Sequence, residues 1–162
     1  MRKRIRGVPT ARNCSPSDGG WLNLSEIATV EVSSEQDGFP IEAVFADNGG
    51  RGWRASQPGA QIIRILFDEP VAVSRIRLRF EEPQDERTQE FTLSWCPAAG
   101  GSREIVRQQW NFSPAGSTAE IEDYVVSLEA VSTLELAIEP DIGSEKAVAT
   151  LAMWRVAGRD QS

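Results

Sequence analysis

Residues 73–80 read Val-Ser-Arg-Ile-Arg-Leu-Arg-Phe, and this octet decides the fold. Val73, Ile76, Leu78 and Phe80 supply the apolar content, while Arg75, Arg77 and Arg79 point the other way. Successive side chains of a strand face opposite sides, so such a segment lies with one face in a core and the other in water. The same pattern spreads outward along the chain. Phe91, Leu93 and Trp95 share one face of Phe91–Trp95, and Ile27–Ser33 alternates and ends in a polar turn. Gln61–Phe67 lies between Gln57-Pro58-Gly59 and Asp68-Glu69-Pro70, two turn clusters. Glu104–Trp110 returns after the hairpin connection Pro97–Gly101, and Ser113–Ser117 makes a turn. Ala119–Leu128 runs out, Leu134–Ile138 runs back and Thr150–Val156 closes the set. About eight strands are expected, with one short helical turn at Pro40–Ala46 and no long amphipathic helix. Many short strands with regular turns imply an all-β sandwich or barrel.

The 162 residues suit one domain, long enough to bury about 70% of the unfolded surface. The expected organisation is a basic, Ser/Pro/Gly-rich arm at 1–20, the β domain at 21–158 and a tail at 159–162. No run of eighteen apolar residues exists, so no membrane span is expected. The basic start lacks the apolar stretch of a secretory signal, so a cytoplasmic location is expected as written, or an extracellular one if a leader has been removed. Cys14 and Cys96 are expected as two free thiols.

There is no histidine. That removes the usual general base, the usual metal ligand and any Ser–His–Asp or Cys–His arrangement. The net charge of −7 is uneven: residues 1–12 carry five cations and no acid, and the rest holds 12 cations against 24 acids. An acidic body repels nucleic acid and anionic membranes, so no nucleic-acid partner is expected. The arm reads as a solvated, frayed end.

The order of several short pieces adds a family. Asn23-Leu24, Val32-Ser33-Ser34, Ala43–Gly49, Gly52-Trp53-Arg54-Ala55-Ser56, Gln61–Phe67, Arg75–Leu78, Glu90–Ser94 and Arg155–Gly158 together resemble the discoidin, or coagulation factor type C, domains of the galactose-binding-like superfamily. The resemblance covers roughly residues 21–158. It implies an eight-stranded antiparallel jelly-roll β-sandwich whose binding loops cluster at one end. Chain direction puts Glu35–Pro40, Arg54–Ala60, Glu81–Gln89 and Asn111–Thr118 there. The expected ligand-binding residues are Phe39, Arg54, Gln57, Asp85, Arg87, Trp110, Asn111 and Phe112, aromatic faces with planar hydrogen-bonding groups that suit a sugar or a peptide. Galactose-binding members use a histidine, an arginine and an asparagine with an aromatic platform. This chain has no histidine, and Glu81–Gln89 has no asparagine, so galactose specificity is not implied.

Many members also hold a structural calcium near the segment matching Asp47–Trp53, where Asp47 and Asn48 would be the oxygen ligands. The family's threonine there is Arg51 in this chain, and its glutamate near the closing strand is Met153. No cofactor is therefore expected. The family's cysteine pair at the domain ends is also missing, since Cys14 has no counterpart near the C-terminus.

Each prominent feature also has a plain structural reading. The Arg75, Arg77, Arg79 stripe reads as a cross-strand charge lattice with Glu135 and Glu139 rather than an anion site. Trp53, Trp95 and Trp154 read as core, and Trp21 and Trp110 as the more exposed tryptophans. Glu81, Glu82, Asp85 and Glu86 could supply a glycosidase's carboxylate pair, but one exposed loop has no burial to raise a pKa. The expected function is thus a non-catalytic carbohydrate-binding module acting through loops at one end. A protein–protein interaction module using the same end is the alternative, and a carboxylate glycosidase a remote one.

Overall fold

A computed structural model describes residues 2–4, 21–45, 52–83 and 85–158. Its elements are β1 (Arg2–Arg4), α1 (Leu24–Ile27), β2 (Ala28–Val32), α2 (Glu42–Phe45), β3 (Trp53–Pro58), β4 (Gln61–Glu81), β5 (Arg87–Pro97), β6 (Arg103–Phe112), β7 (Ala119–Glu139), β8 (Val148–Leu151) and β9 (Met153–Gly158). The chain is an antiparallel β-sandwich. Two strands, β4 and β7, organise it. They pair along their whole lengths, from Gln61 opposite Ile138 to Glu81 opposite Ala119, with register shifts between Leu66 and Arg75. The first half of β4 pairs β2 on its other side, and the second half pairs β9. β5 and β6 extend the ribbon beyond the second half of β7. The ribbon folds over, so that Phe80 of one sheet meets Phe91 of the other with ring centroids 5.1 Å apart. A second, two-stranded sheet pairs β3 with β8.

The sequence segments 61–67 and 73–80, expected as separate strands, are halves of one strand, and so are 119–128 and 134–138. Asp68-Glu69-Pro70 is exposed, as a turn would be, but the backbone stays extended there. Proline has no N–H to give, so the ladder lapses between Leu66 and Val71 without the strand ending. Opposite it the corner of β7 holds Ala130 at φ 56°, whose carbonyl accepts from the Ala98 N–H. Between Val73 and Arg75 strand β4 advances two residues while β9 advances one, and across this irregularity Val73 and Ile76, three apart, are both fully buried. The expected helical turn appears as α2. Strand β3 and helix α1 were not foreseen, and Arg2–Arg4, expected as a frayed end, pairs parallel with β2.

The core is the set of inward faces: Val30, Ile63, Ile65, Ile76, Leu78, Leu93, Leu134 and Leu136, closed by Trp53 and Trp154. Trp154 packs near Phe45 of α2, centroids 6.0 Å apart. Gly52 permits the β3–β8 contact. It has φ +80°, and a Cβ there would lie 2.6 Å from the Leu151 carbonyl oxygen, so no other residue fits without moving β8.

The arginine stripe does form a charge lattice, with a different partner. Arg75 and Arg77 both donate to Asp123, at 2.6 and 2.8 Å, and hold its carboxyl down at about 2. Glu135 instead accepts from Arg64. The stripe lies in the second half of β4 and Glu135 opposite the first half, a distinction created by the folded ribbon. Trp21 lies beneath Arg75 and Arg77, 5.4 and 5.2 Å from the ring centroid. Cys96 is a free thiol, as expected; Cys14 lies outside the described residues. Among the described residues no helix is long and apolar enough to cross a membrane.

Candidate functional site

The register defines one end of the sandwich. Val32 lies opposite Ile63, Gln61 opposite Ile138, Glu90 opposite Glu139 and Arg87 opposite Phe112. The connections leaving these ends therefore gather there: 33–40, 58–60, 82–86 and 113–118, together with 140–147. The last was not foreseen. It is tied in by the Ile142 N–H to the Thr88 carbonyl, 2.9 Å, and by the Gly59 N–H to the Ala147 carbonyl, 3.0 Å. The four expected segments thus meet at one end, although parts of them are strand: β3 takes 54–58, β5 begins at Arg87 and β6 runs through Phe112.

The loop 33–40 is held by short polar contacts. Ser33 and Ser34 hydroxyls donate to Gln61 Oε1 at 2.6 and 2.8 Å, and the Ile41 N–H donates to Glu35 Oε1 at 2.7 Å. The indole N–H of Trp53 donates to the Ser34 carbonyl at 3.0 Å. The Gln36 N–H donates to the Arg54 carbonyl at 2.8 Å, and the Arg54 N–H to the Phe39 carbonyl at 3.5 Å. These bonds seat Phe39 beside Arg54. Both line a cleft of about 240 Å³, together with Trp53, Pro83, Leu151, Ala152 and the neighbouring Glu81, Glu82 and Thr150, the last of which donates from Oγ1 to the Glu81 carbonyl at 3.1 Å. Trp53 and Ala55 point into the core, so the strand period turns Arg54 away from it.

The expected site residues divide. Phe39 and Arg54 line the cleft. Gln57, Asp85 and Asn111 are exposed at the same end, and the Asn111 carboxamide oxygen accepts from Thr88 Oγ1 at 3.0 Å. Arg87 and Phe112 are not exposed to a ligand. Arg87 is 3% exposed and Phe112 fully buried. The Arg87 guanidinium donates to Glu82 at 2.8 Å, to Gln89 at 3.1 Å, to the Pro140 carbonyl at 2.7 Å and to Thr150 Oγ1 at 3.3 Å, and it stands 4.8 Å from the Phe112 centroid. Trp110 packs half-buried against the core with its N–H enclosed. A signal for this was present. Counting back by twos from Phe91 reaches Gln89 and Arg87, so the inward face of β5 continues into the segment read as loop. Asp47 and Asn48, the expected calcium ligands, lie outside the described residues. The described ones contain no group of three acidic or thiol side chains placed to hold a metal.

Behind the Arg87 cluster sits Glu120, 1% exposed, with one carboxyl oxygen 3.5 Å from the Gln89 amide and the other without a partner. Burial, and next the neighbouring Glu122, push its carboxyl up to about 9. The folded state thus keeps a proton that the unfolded chain gives up above its ordinary value of 4.5. Stability should fall as pH rises from about 4.5 towards 9. Glu120→Gln keeps the shape and the donor while removing the titration. It should melt with the parent at pH 4.5 and above it by pH 8, at about 2–4 °C per kcal/mol for a chain this size. Melting curves across that range check this; a gap that does not widen with pH contradicts it.

No family model matches the chain, and no curated protein sequence matches it. Solved structures do. The family 32 carbohydrate-binding module of Clostridium perfringens NanJ, solved with galactose, is similar with a TM-score of 0.63 and 14% identity, over 85% of this chain and 97% of that one. A further such module from the same organism, solved with GlcNAc-α-1,4-galactose, gives 0.58 and 16%, over 91% of this chain and all of that one. Reduced XRCC1, solved bound to the DNA polymerase β catalytic domain, gives 0.56 and 10%, over 80% and 93%. The family 32 modules have the galactose-binding-like, discoidin-type fold, and that fold is the one found here.

Proposed function

We propose that this chain is a non-catalytic carbohydrate-binding module whose ligand lies in the cleft between Phe39 and Arg54. The observation that carries this is the pairing of an aromatic ring with a guanidinium that has no side-chain partner among the described residues. A sugar ring packs its C–H face on an aromatic and offers hydroxyls to planar donors. Galactose- and glycan-bound modules among the structural neighbours favour the same reading. A cleft of about 240 Å³ suits one or two sugar rings, so single-site binding is weak and gains strength from several copies.

Catalysis is disfavoured by what the cleft's acids already do. Glu81 is paired with Arg79 at 2.6 Å and Glu82 with Arg87 at 2.8 Å, so neither is free to act in the acid–base pair a glycosidase needs. A structural calcium is not part of the proposal, because Arg51 and Met153 replace two of the family's oxygen ligands and affinity follows ligand charge and number. Chelation should leave the melting temperature unchanged. A fall of several degrees would mean that a bound ion stabilises the fold.

A glycan array followed by titration of the retained sugars tests the assignment. Phe39→Ala should weaken binding about tenfold, or 1.4 kcal/mol, with melting unchanged. Arg77→Ala, on the outer sheet face, should bind as the parent does. Retention of no glycan overturns the reading, and loss with Arg77→Ala but not Phe39→Ala moves the site to the arginine face.

A further inference from the structure

The charge state of the cleft says which kind of saccharide belongs there; this rests on the carbohydrate reading. Three ionisable side chains line the cleft: Arg54, Glu81 and Glu82. Both carboxylates are ion-paired, Glu81 with Arg79 at 2.6 Å and Glu82 with the buried Arg87 at 2.8 Å. Arg54 is not. The other described arginine side chains each have a partner. Arg64, Arg75, Arg77, Arg79, Arg87 and Arg107 are ion-paired, Arg103 lies over the Trp95 ring at 5.5 Å, and Arg155 donates to Met153 Sδ. Among the described arginine side chains, Arg54 is thus the one without a protein partner, and it lines the cleft.

Its position is set by the backbone. Both backbone groups of Arg54 are bonded to the loop 33–40, and Arg54 pairs in register with Thr150 of β8. The side chain therefore starts from a fixed root next to Phe39. A guanidinium presents a planar fork of N–H donors whose best match is a carboxylate, gripped through two parallel bonds. In a half-buried cleft such a charge-assisted pair is stronger than bonds to hydroxyls.

We propose that the ligand is an acidic saccharide, a uronic acid residue whose ring packs on Phe39 and whose carboxylate is held by Arg54. Calorimetric titration of the full chain with oligogalacturonate, its methyl ester and a neutral galacto-oligosaccharide tests this. The acid should bind at least tenfold tighter than its ester, and the preference should shrink as salt is added. Arg54→Gln, which melts like the parent because the side chain has no partner among the described residues to lose, should bring acid and ester to within twofold of each other. Equal affinity for acid and ester, or a preference that survives Arg54→Gln, overturns the inference. If the neutral sugar binds as tightly as the acid, the inference fails while the carbohydrate reading stands. If none of the three binds, while the array also retains no glycan, both fail.

Discussion

Arg87→Met is expected to cost about 3–5 kcal/mol of stability, the range for breaking a buried ion pair by removing one partner. The melting temperature should fall by about ten degrees. The loss arises less from the missing attraction than from what is left behind. Glu82, whose side chain is 8% exposed, would lose the guanidinium that answers its charge, and Gln89, the Pro140 carbonyl and Thr150 would each lose a donor. These partners come from four segments at the loop end, so the guanidinium ties together the wall of the cleft. Arg87→Met combined with Glu82→Leu should recover part of the loss, because a pair replaced by apolar groups leaves no orphaned charge. Chemical denaturation of the two variants checks both statements. A single variant that folds as stably as the parent yet loses glycan binding would return Arg87 to the ligand, where sequence reasoning had placed it.

Trp53→Ala should cost about 3–5 kcal/mol, as for other buried large-to-small changes. Trp53 is 1% exposed, packs in the core and lines the cleft. The mutation also strands the Ser34 carbonyl, which accepts from the indole N–H. Trp53→Phe separates the two effects. It keeps most of the apolar contact and loses the hydrogen bond, so the expected cost is about 1 kcal/mol. If the loop 33–40 depends on that bond, the Phe variant should bind the ligand more weakly while melting only a few degrees lower. Equal stability of the Ala variant and the parent would show that Trp53 supports neither core nor cleft.

The amino-acid sequence by itself determined the class of fold and which loops gather at one end of it. Period-two alternation such as Phe91, Leu93, Trp95 is a local consequence of the strand's geometry and needs no tertiary information. Strand direction follows by counting reversals, and the loops 35–40, 54–60, 81–89 and 111–118 do converge. The tertiary structure decided the rest. Whether Asp68-Glu69-Pro70 ends a strand or only bends one depends on the partner β7, which pairs on both sides of the gap. Whether Arg75 meets Asp123 or Glu135 depends on where the ribbon folds over. An arginine at a strand end reads the same in sequence whether it faces water or a buried glutamate. Arg87 and Arg54 were both expected to hold ligand, and only packing separated them. The inward face of β5 brings Arg87 to Glu82, Gln89 and Pro140, while the outward face of β3 leaves Arg54 in the cleft with no acid paired to it among the described residues.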